Sequence, residues 1–577
     1  MIDFRNVNTL WASVLVETLS NCGVTMAIIC PGSRSTPLTV AFANHPQIEA
    51  IPILDERSAA FFALGKSKQT GFPTVLVCTS GTAGANFYPA VIEAKESRVP
   101  LIVMTADRPP ELRHCHAGQT IDQVKLYGNI PNWQCELALP EADIAMLRYL
   151  RQNMVQAWER SLFPNPGVVH LNLSFREPLA PITQSELTQF ATTFPPPDFF
   201  AKISFPSLIN NHCYSLPWQE WQKKPGIILA GLAQPQDPLA YCQAIAKLSK
   251  LFSFPVLGEA LSPIRNYSSF NPYLISTYDS ILRQEQTSAE MMPEIVIQIG
   301  ELPTSKKLRN WLNSSAIERW IIEPKIGNFD PLHGKTIHVH SSVEQIVNAL
   351  ENDLASNLEN CPQSEFCQQW LKREKSTRSD LDRTLESLKV MYEGKIPWLL
   401  SHQLPPKTPI FIANSMSVRN AEYFWQPNNL ETVPYFSRGA NGIDGTLSSA
   451  LGVVHGAKGI LLTGDLALLH DSNGFLIKPK FKGHLTIILV NNNGGGIFGM
   501  LPIAEFDSFE EYFATPQAVN FAQLCTAHNV EHQQVDSWQH LAELVSDLPS
   551  TGIRVLEISC DRTHDTAWLK SNLGKFS

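Results

Sequence analysis

Two short runs near the carboxyl end carry residue types that could hold a metal-bound phosphate. One is Gly464-Asp465-Leu466 and the other is Asn491-Asn492-Asn493-Gly494-Gly495-Gly496. Each closes an apolar stretch, so both would lie at the carboxyl ends of adjacent parallel strands, where ligands dock in open α/β sheets. Asp465 and Asn492 would present two hard oxygens to one point. A backbone carbonyl such as that of Gly494 could add a third, the oxygen set that Mg²⁺ shares with substrate phosphates. The glycines let the backbone approach a phosphate without Cβ obstruction. Each half alone has an ordinary reading, with Asp465 capping the following helix and the Asn-Gly run forming a turn. Together, at two successive strand ends, they favour a diphosphate anchor. The rival P-loop motif is missing: no G-x-x-x-x-G-K-[ST] occurs.

The 45 basic and 54 acidic residues give a net charge of -9, which argues against nucleic acid as a partner. Any anionic ligand must therefore be met by single arginines beside glycine turns. Hydrophobic residues at 44% and charged residues at 17% exclude a disordered chain. At about 150 residues per domain, 577 residues imply three or four domains. The eleven cysteines are scattered with no Cys-x-x-Cys pair, which fits reduced thiols in the cytoplasm better than disulfides or zinc. The first ten residues form no apolar leader, and no stretch approaches about 18 uninterrupted apolar residues, so neither export nor a membrane span is expected.

The elements that must position these residues are legible as apolar runs ending in turns. PTVLVCTSG (73–81), LIVMTAD (101–107), GIILAGL (226–232), EIVIQIG (294–300) and the runs before Asp465 and Asn491 read as parallel strands buried on both faces. The fold class is α/β. The prolines at 195–197 mark the end of a first domain, and a polar, charge-rich stretch over 351–383 reads as a linker passing into a helix. The expected domains are 1–190, 200–355 and 384–577. The first and third share a plan of strand, glycine turn, helix and strand around Gly81 and Gly464, as a duplicated pair would.

The Gly-Asp turn and downstream Asn pair resemble the signature of thiamine diphosphate enzymes, with Leu466 standing where a third glycine is usual. The resemblance implies pyrimidine-binding, central and diphosphate-binding domains, each a parallel sheet flanked by helices. It also implies a glutamate from the first domain at the cofactor's aminopyrimidine, where proton sharing activates the cofactor. Glu56, in LDERSAAFFALG (54–65), stands at such a place, although a glutamate there could also simply complement a helix dipole.

Further motifs narrow the resemblance to one branch of the family. They are CPGSRSTPL (30–38), CTSGTAGANFYPAVIEA (78–94), TADRPPELR (105–113), GQTIDQ (118–123), NSMSVR (414–419), SRGANGIDGTLSSA (437–450) and TGDLALLHDSNG (463–474). That branch decarboxylates 2-oxoglutarate and adds the succinyl carbanion to isochorismate in menaquinone and phylloquinone biosynthesis. By motif position, Ser33, Arg34, Arg108 and Gln119 are expected to face isochorismate, with Lys306 or its neighbour Lys307. Ser415, Arg419 and Arg438 are expected to hold 2-oxoglutarate. Arginine suits both substrates because it grips carboxylates bidentately and keeps its charge in a cleft.

Gly464 and Leu466 are expected against the cofactor, Asp465, Asn492 and Gly494 against Mg²⁺ or Mn²⁺, and Ile443, Ile497 and Phe498 as an apolar wall that excludes water. Family precedent places Glu56 and Asp465 of one site on different subunits, hence a homodimer or dimer of dimers. Another 2-oxo acid carboligase would share Glu56, Asp465 and Asn492 but has no need of so many arginines. A binding protein on a decayed scaffold would have lost the acid or the metal ligands. His114 and His116, flanking Cys115, invite a metal reading but lack a further ligand nearby and read as loop histidines.

Overall fold

The computed structural model describes residues 2–185, 187–201, 203, 216–314, 317–353 and 363–576. Three six-stranded parallel sheets carry the fold. The first contains β1 (Met26–Ile29), β2 (Glu49–Pro52), β3 (Thr74–Cys78), β4 (Leu101–Asp107), β5 (Trp133–Glu136) and β6 (Val168–Ser174), in the order β2-β1-β3-β4-β6-β5. The second contains β7 (Gly226–Ala230), β8 (Val256–Gly258), β9 (Leu274–Ile275), β10 (Ile295–Ile299), β11 (Glu318–Ile322) and β12 (Lys335–Val339), in the order β12-β11-β10-β7-β8-β9. The third contains β13 (Pro409–Ile412), β14 (Val433–Tyr435), β15 (Ala457–Gly464), β16 (Gly483–Asn491), β17 (Glu531–Val535) and β18 (Gly552–Ser559), in the order β14-β13-β15-β16-β18-β17. Numbered within each sheet, the first and third share one strand order. In both, the order reverses between the first and third strands, the switch point at which a crevice opens.

The central strands read as continuous apolar runs because both faces are covered: every residue of β3, β4, β6, β7 and β10 is buried. Phe194 and Phe199, on either side of the proline run, pack into the core of the first sheet. The charge-rich stretch before residue 384 is mostly the helix Glu365–Ser387, which buries Cys367, Trp370, Thr377, Leu381 and Leu385 on one face. Its charges are the solvated face of an amphipathic helix, which is why composition alone suggests a linker. No helix among the described residues is long and apolar enough to cross a membrane.

By compactness the chain forms two units. One comprises Met1–Ile209, Ser437–Gly456 and His470–Gly483; the other comprises Asn210–Phe436, Ala457–Leu469 and His484–Ser577. Within the second, fully buried Arg265 joins elements of two sheets. It donates to the Gly258 carbonyl at 2.7 Å, to the Glu422 and Trp425 carbonyls, and to Glu422 Oε1 at 3.1 Å. So many bonds are what a buried guanidinium requires.

Within the first unit the helices Glu56–Thr70 and Thr446–Val454 pack backbone to backbone. A Cβ on Gly65 would lie 2.0 Å from the Ser449 carbonyl oxygen, and one on Gly452 would lie 2.0 Å from that of Phe62. No side chain can swing aside to relieve either clash. Gly65→Ala and Gly452→Ala are each expected to lower stability by about 1–3 kcal/mol, read as a drop in thermal midpoint. An unchanged midpoint would show that the two helices can part at no cost.

Candidate functional site

β15 ends at Gly464, and Asp465 opens the short helix that follows, buried to 5% exposure. Its Oδ1 accepts from the Leu466 backbone N–H at 2.8 Å and its Oδ2 from that of Gly494 at 2.7 Å. Burial pushes this carboxyl above its ordinary value, against the pull of those backbone donors. Asn492, at 7% exposure, follows β16, the strand next to β15. Its Nδ2 donates to Glu393 Oε2 at 3.0 Å, while its Oδ1 is buried with no hydrogen-bond partner. An orphaned buried acceptor costs about 1–3 kcal/mol, so Oδ1 is an atom in want of a ligand.

Gly494 has φ +127°, and a Cβ there would meet the Ala514 carbonyl oxygen at 2.3 Å, so only glycine fits. At Gly464 a Cβ would meet nothing within 4 Å, leaving that side open to an approaching group. A carboxylate, an orphaned amide oxygen and a glycine backbone make a donor set that suits a hard divalent cation bound to phosphate. Among the described residues no group of three His, Cys, Asp or Glu side chains is placed to hold a metal. His114 and His116 are exposed loop residues with left-handed φ of 57° and 56°.

The second unit also holds a cavity of about 410 Å³ that brings together Lys306, Arg419 and Ile497. Lys307 lines it as well, so both lysines of the pair reach it. They open the helix Lys306–Asn313, capped by Ser305. Cations there oppose the helix dipole, a local cost that an anionic ligand would offset. Arg419 Nη1 donates to the Ser415 carbonyl at 2.7 Å, and burial lowers its pKa. Ser415 caps the helix Met416–Phe424 with φ 67° and ψ -129°, a conformation that costs a serine about 1–3 kcal/mol. Phe498 lies outside this cavity and packs edge-on against Phe513, with ring centroids 5.8 Å apart. Arg283, Glu422 and Tyr423 line the cavity without any sequence motif to mark them.

In the first unit the expected residues gather at the carboxyl ends of β1, β3 and β4. Ser33 and Arg34 follow β1, and Arg108 follows β4. Arg34 Nη1 donates to the Phe175 carbonyl at 2.8 Å; burial, then the nearby Arg108 charge, lowers its pKa. Arg108 donates to the Ser80 hydroxyl beyond β3, and Gln119 Nε2 donates to the Ser80 carbonyl at 3.0 Å. Glu56 is half-buried in the first turn of the helix Glu56–Thr70, whose N-cap, Asp55, accepts from the Ser58 N–H. The loop bearing Arg438 is held by a residue to which the 78–94 motif assigned no role: buried Glu93 accepts from the Gly439 and Ala440 N–H groups at 3.1 and 2.7 Å. Ile443 is half-buried in the next turn, ahead of the helix Thr446–Val454. Buried Asp471 braces that helix, accepting from Ser448 N at 2.7 Å and Ser448 Oγ at 3.0 Å.

Known proteins resemble the chain along its whole length. Residues 11–126 match the N-terminal TPP-binding domain of thiamine pyrophosphate enzymes, and residues 207–412 match a thiamine pyrophosphate middle domain. The chain is 62% identical to a 2-succinyl-5-enolpyruvyl-6-hydroxy-3-cyclohexene-1-carboxylate synthase of Gloeothece citriformis (strain PCC 7424), covering 100% of this chain and 99% of that one. It is 57% identical to proteins of the same name from Rippkaea orientalis (100% and 98% covered) and Nostoc sp. (100% and 99% covered).

Asp471 gives the brace a pH signature. Burial raises its carboxyl from 3.8 to about 7. Between those values the folded chain keeps a proton that the unfolded chain releases, so stability falls as pH rises through the window, by up to about 1.4 kcal/mol per unit. Asp471→Asn removes that proton exchange. The thermal midpoint of the variant relative to the parent is therefore expected to climb from pH 4.5 to pH 7.5; a constant difference would contradict it.

Proposed function

The chain belongs to the 2-succinyl-5-enolpyruvyl-6-hydroxy-3-cyclohexene-1-carboxylate synthase family of thiamine pyrophosphate enzymes, and on that premise we propose how its own residues divide the work. It takes 2-oxoglutarate and isochorismate as substrates, releases CO₂, and makes 2-succinyl-5-enolpyruvyl-6-hydroxy-3-cyclohexene-1-carboxylate, on the way to menaquinone or phylloquinone. The observation that carries the reading is the partnerless Asn492 Oδ1 beside buried Asp465 at adjacent strand ends. Asp465, Asn492 and the Gly494 carbonyl hold Mg²⁺ or Mn²⁺, and Gly464 and Leu466 lie against the cofactor's diphosphate. Bound thiamine diphosphate supplies the sink for the electron pair released as CO₂ leaves.

The protein binds, orients and desolvates. Arg419, with Ser415 and Arg438, grips the carboxylates of 2-oxoglutarate. Arg419 is oriented by the neutral Ser415 carbonyl, so its charge stays available to the substrate. Ser33, Arg34, Arg108 and Gln119, with Lys306, receive isochorismate. The Gln119 amide nitrogen is engaged by Ser80, which leaves its oxygen to accept from a substrate hydroxyl. Ile443, Ile497 and Phe498 keep water from the reacting carbon. Glu56 holds a proton at the pyrimidine ring nitrogen. The domains 1–190, 200–355 and 384–577 take the pyrimidine-binding, central and diphosphate-binding parts. The working form is a cytoplasmic homodimer or dimer of dimers with no nucleic-acid partner.

Incubation with 2-oxoglutarate, isochorismate, thiamine diphosphate and Mg²⁺ should consume isochorismate and release CO₂. If isochorismate is untouched while CO₂ is released, the protein is a different carboligase. Glu56→Gln should lower kcat by about 10²–10⁴ with cofactor binding retained. Arg419→Ala should lower kcat/KM for 2-oxoglutarate by the about 1.5–3 kcal/mol of a charged hydrogen bond. Glu93→Ala should raise KM for 2-oxoglutarate more than it lowers kcat, because it frees the Arg438 loop without touching the chemistry. Sedimentation of an active monomer would exclude the assembly.

A further inference from the structure

We propose that Glu393 is a positioning residue that decides which end of the Asn492 side-chain amide faces the metal; this rests on the diphosphate-anchor reading above. An asparagine amide ends in an oxygen and an NH₂ group of nearly equal size, and only the oxygen can ligate Mg²⁺ or Mn²⁺. The shape of a buried site cannot tell the two ends apart. The partner of the other end can.

Glu393 is such a partner. Its Oε2 accepts from Asn492 Nδ2 at 3.0 Å, and Asn492 Oδ1 is thereby left buried and without a partner. Because Oε2 is the acceptor in this pair, turning the amide over would set Asn492 Oδ1 against an acceptor oxygen and forfeit the bond. Glu393 is also held firmly. It is buried to 6% exposure just ahead of the helix Lys395–Gln403, and Asn420 hydrogen-bonds its side chain. Its backbone N–H donates at 3.1 Å to Asp565 Oδ2, on the helix Arg562–Asn572.

An acid buried this close to Asp565 and Asp465 costs stability that an apolar side chain of similar size would not. That cost falls at the one point where an amide must be kept from rotating. Orienting partners of metal ligands work in this way, fixing a ligand without touching the ion.

The test is a titration of Mn²⁺ into the protein in the presence of thiamine diphosphate, with free Mn²⁺ read from its electron paramagnetic resonance signal. Thermal unfolding of the cofactor-free protein is recorded in parallel. Glu393→Leu should weaken Mn²⁺ binding about 10- to 100-fold, with the thermal midpoint unchanged or raised. Glu393→Gln, whose amide oxygen can still accept from Nδ2, should recover most of that affinity. Glu393→Met replaces the leucine variant if the latter does not fold, with the same expectation. An apolar variant that binds Mn²⁺ like the parent overturns the inference, as does a loss of binding that only tracks a lost thermal midpoint. A parent protein that binds no Mn²⁺ overturns the diphosphate anchor itself and this inference with it.

Discussion

The backbone N–H of Gly494 donates to Asp465 Oδ2 at 2.7 Å, and this bond ties the loop after β16 to the end of β15. It forms only because Gly494 adopts φ +127° against the Ala514 carbonyl, where a side chain would collide. Its effect is to hold a buried carboxylate still, with backbone donors on both oxygens, while Asn492 Oδ1 remains unsatisfied nearby. A preorganised site of this kind pays the cost of burying polar atoms during folding, so that little reorganisation is left for the moment of ligand binding.

Among the arginines that are wholly or partly buried, the partner decides whether the charge is cancelled within the protein. Arg265 and Arg319 are fully buried against Glu422 and Asp330, and their charge is cancelled within the protein. Arg419 instead donates to the Ser415 carbonyl, whereas Arg34 donates to the Phe175 carbonyl and also lies 3.5 Å from Glu177 Oε1. At Arg419 a neutral carbonyl fixes the guanidinium without neutralising it, which is what the proposed grip on a substrate carboxylate requires. In a chain with net charge -9, anion binding depends on this local economy and not on a global field.

The strands that position the site were legible because they are buried on both faces and end in Gly or Ser turns; β15 and β16 carry Asp465 and Asn492 where the apolar runs stop. The identical strand order of the first and third sheets bears out the duplicated plan read from the turns at Gly81 and Gly464. A helix was expected at the end of the 351–383 stretch, but the early start of the helix Glu365–Ser387 was obscured because its apolar face is narrow within a polar composition. The roles of Glu93, inside the 78–94 motif, and of Glu393 were not legible for another reason. Each is defined by a partner far along the chain, the 439–440 backbone for one and Asn492 for the other, and no local spacing reports such a contact. Arg283 and Tyr423 join the cavity by tertiary folding alone.

The helix Thr446–Val454 lies late in the chain, yet its glycine seam is shared with the helix Glu56–Thr70. Sequence order and spatial membership therefore disagree. A fragment made by stopping translation after the first sheet would lack the surface that Gly65 was shaped to receive, and would leave the backbone of an early helix bare. The helix Glu56–Thr70 thus lacks its packing partner until residues up to 454 have been made, so a fragment that ends at the first sheet leaves the glycine seam open.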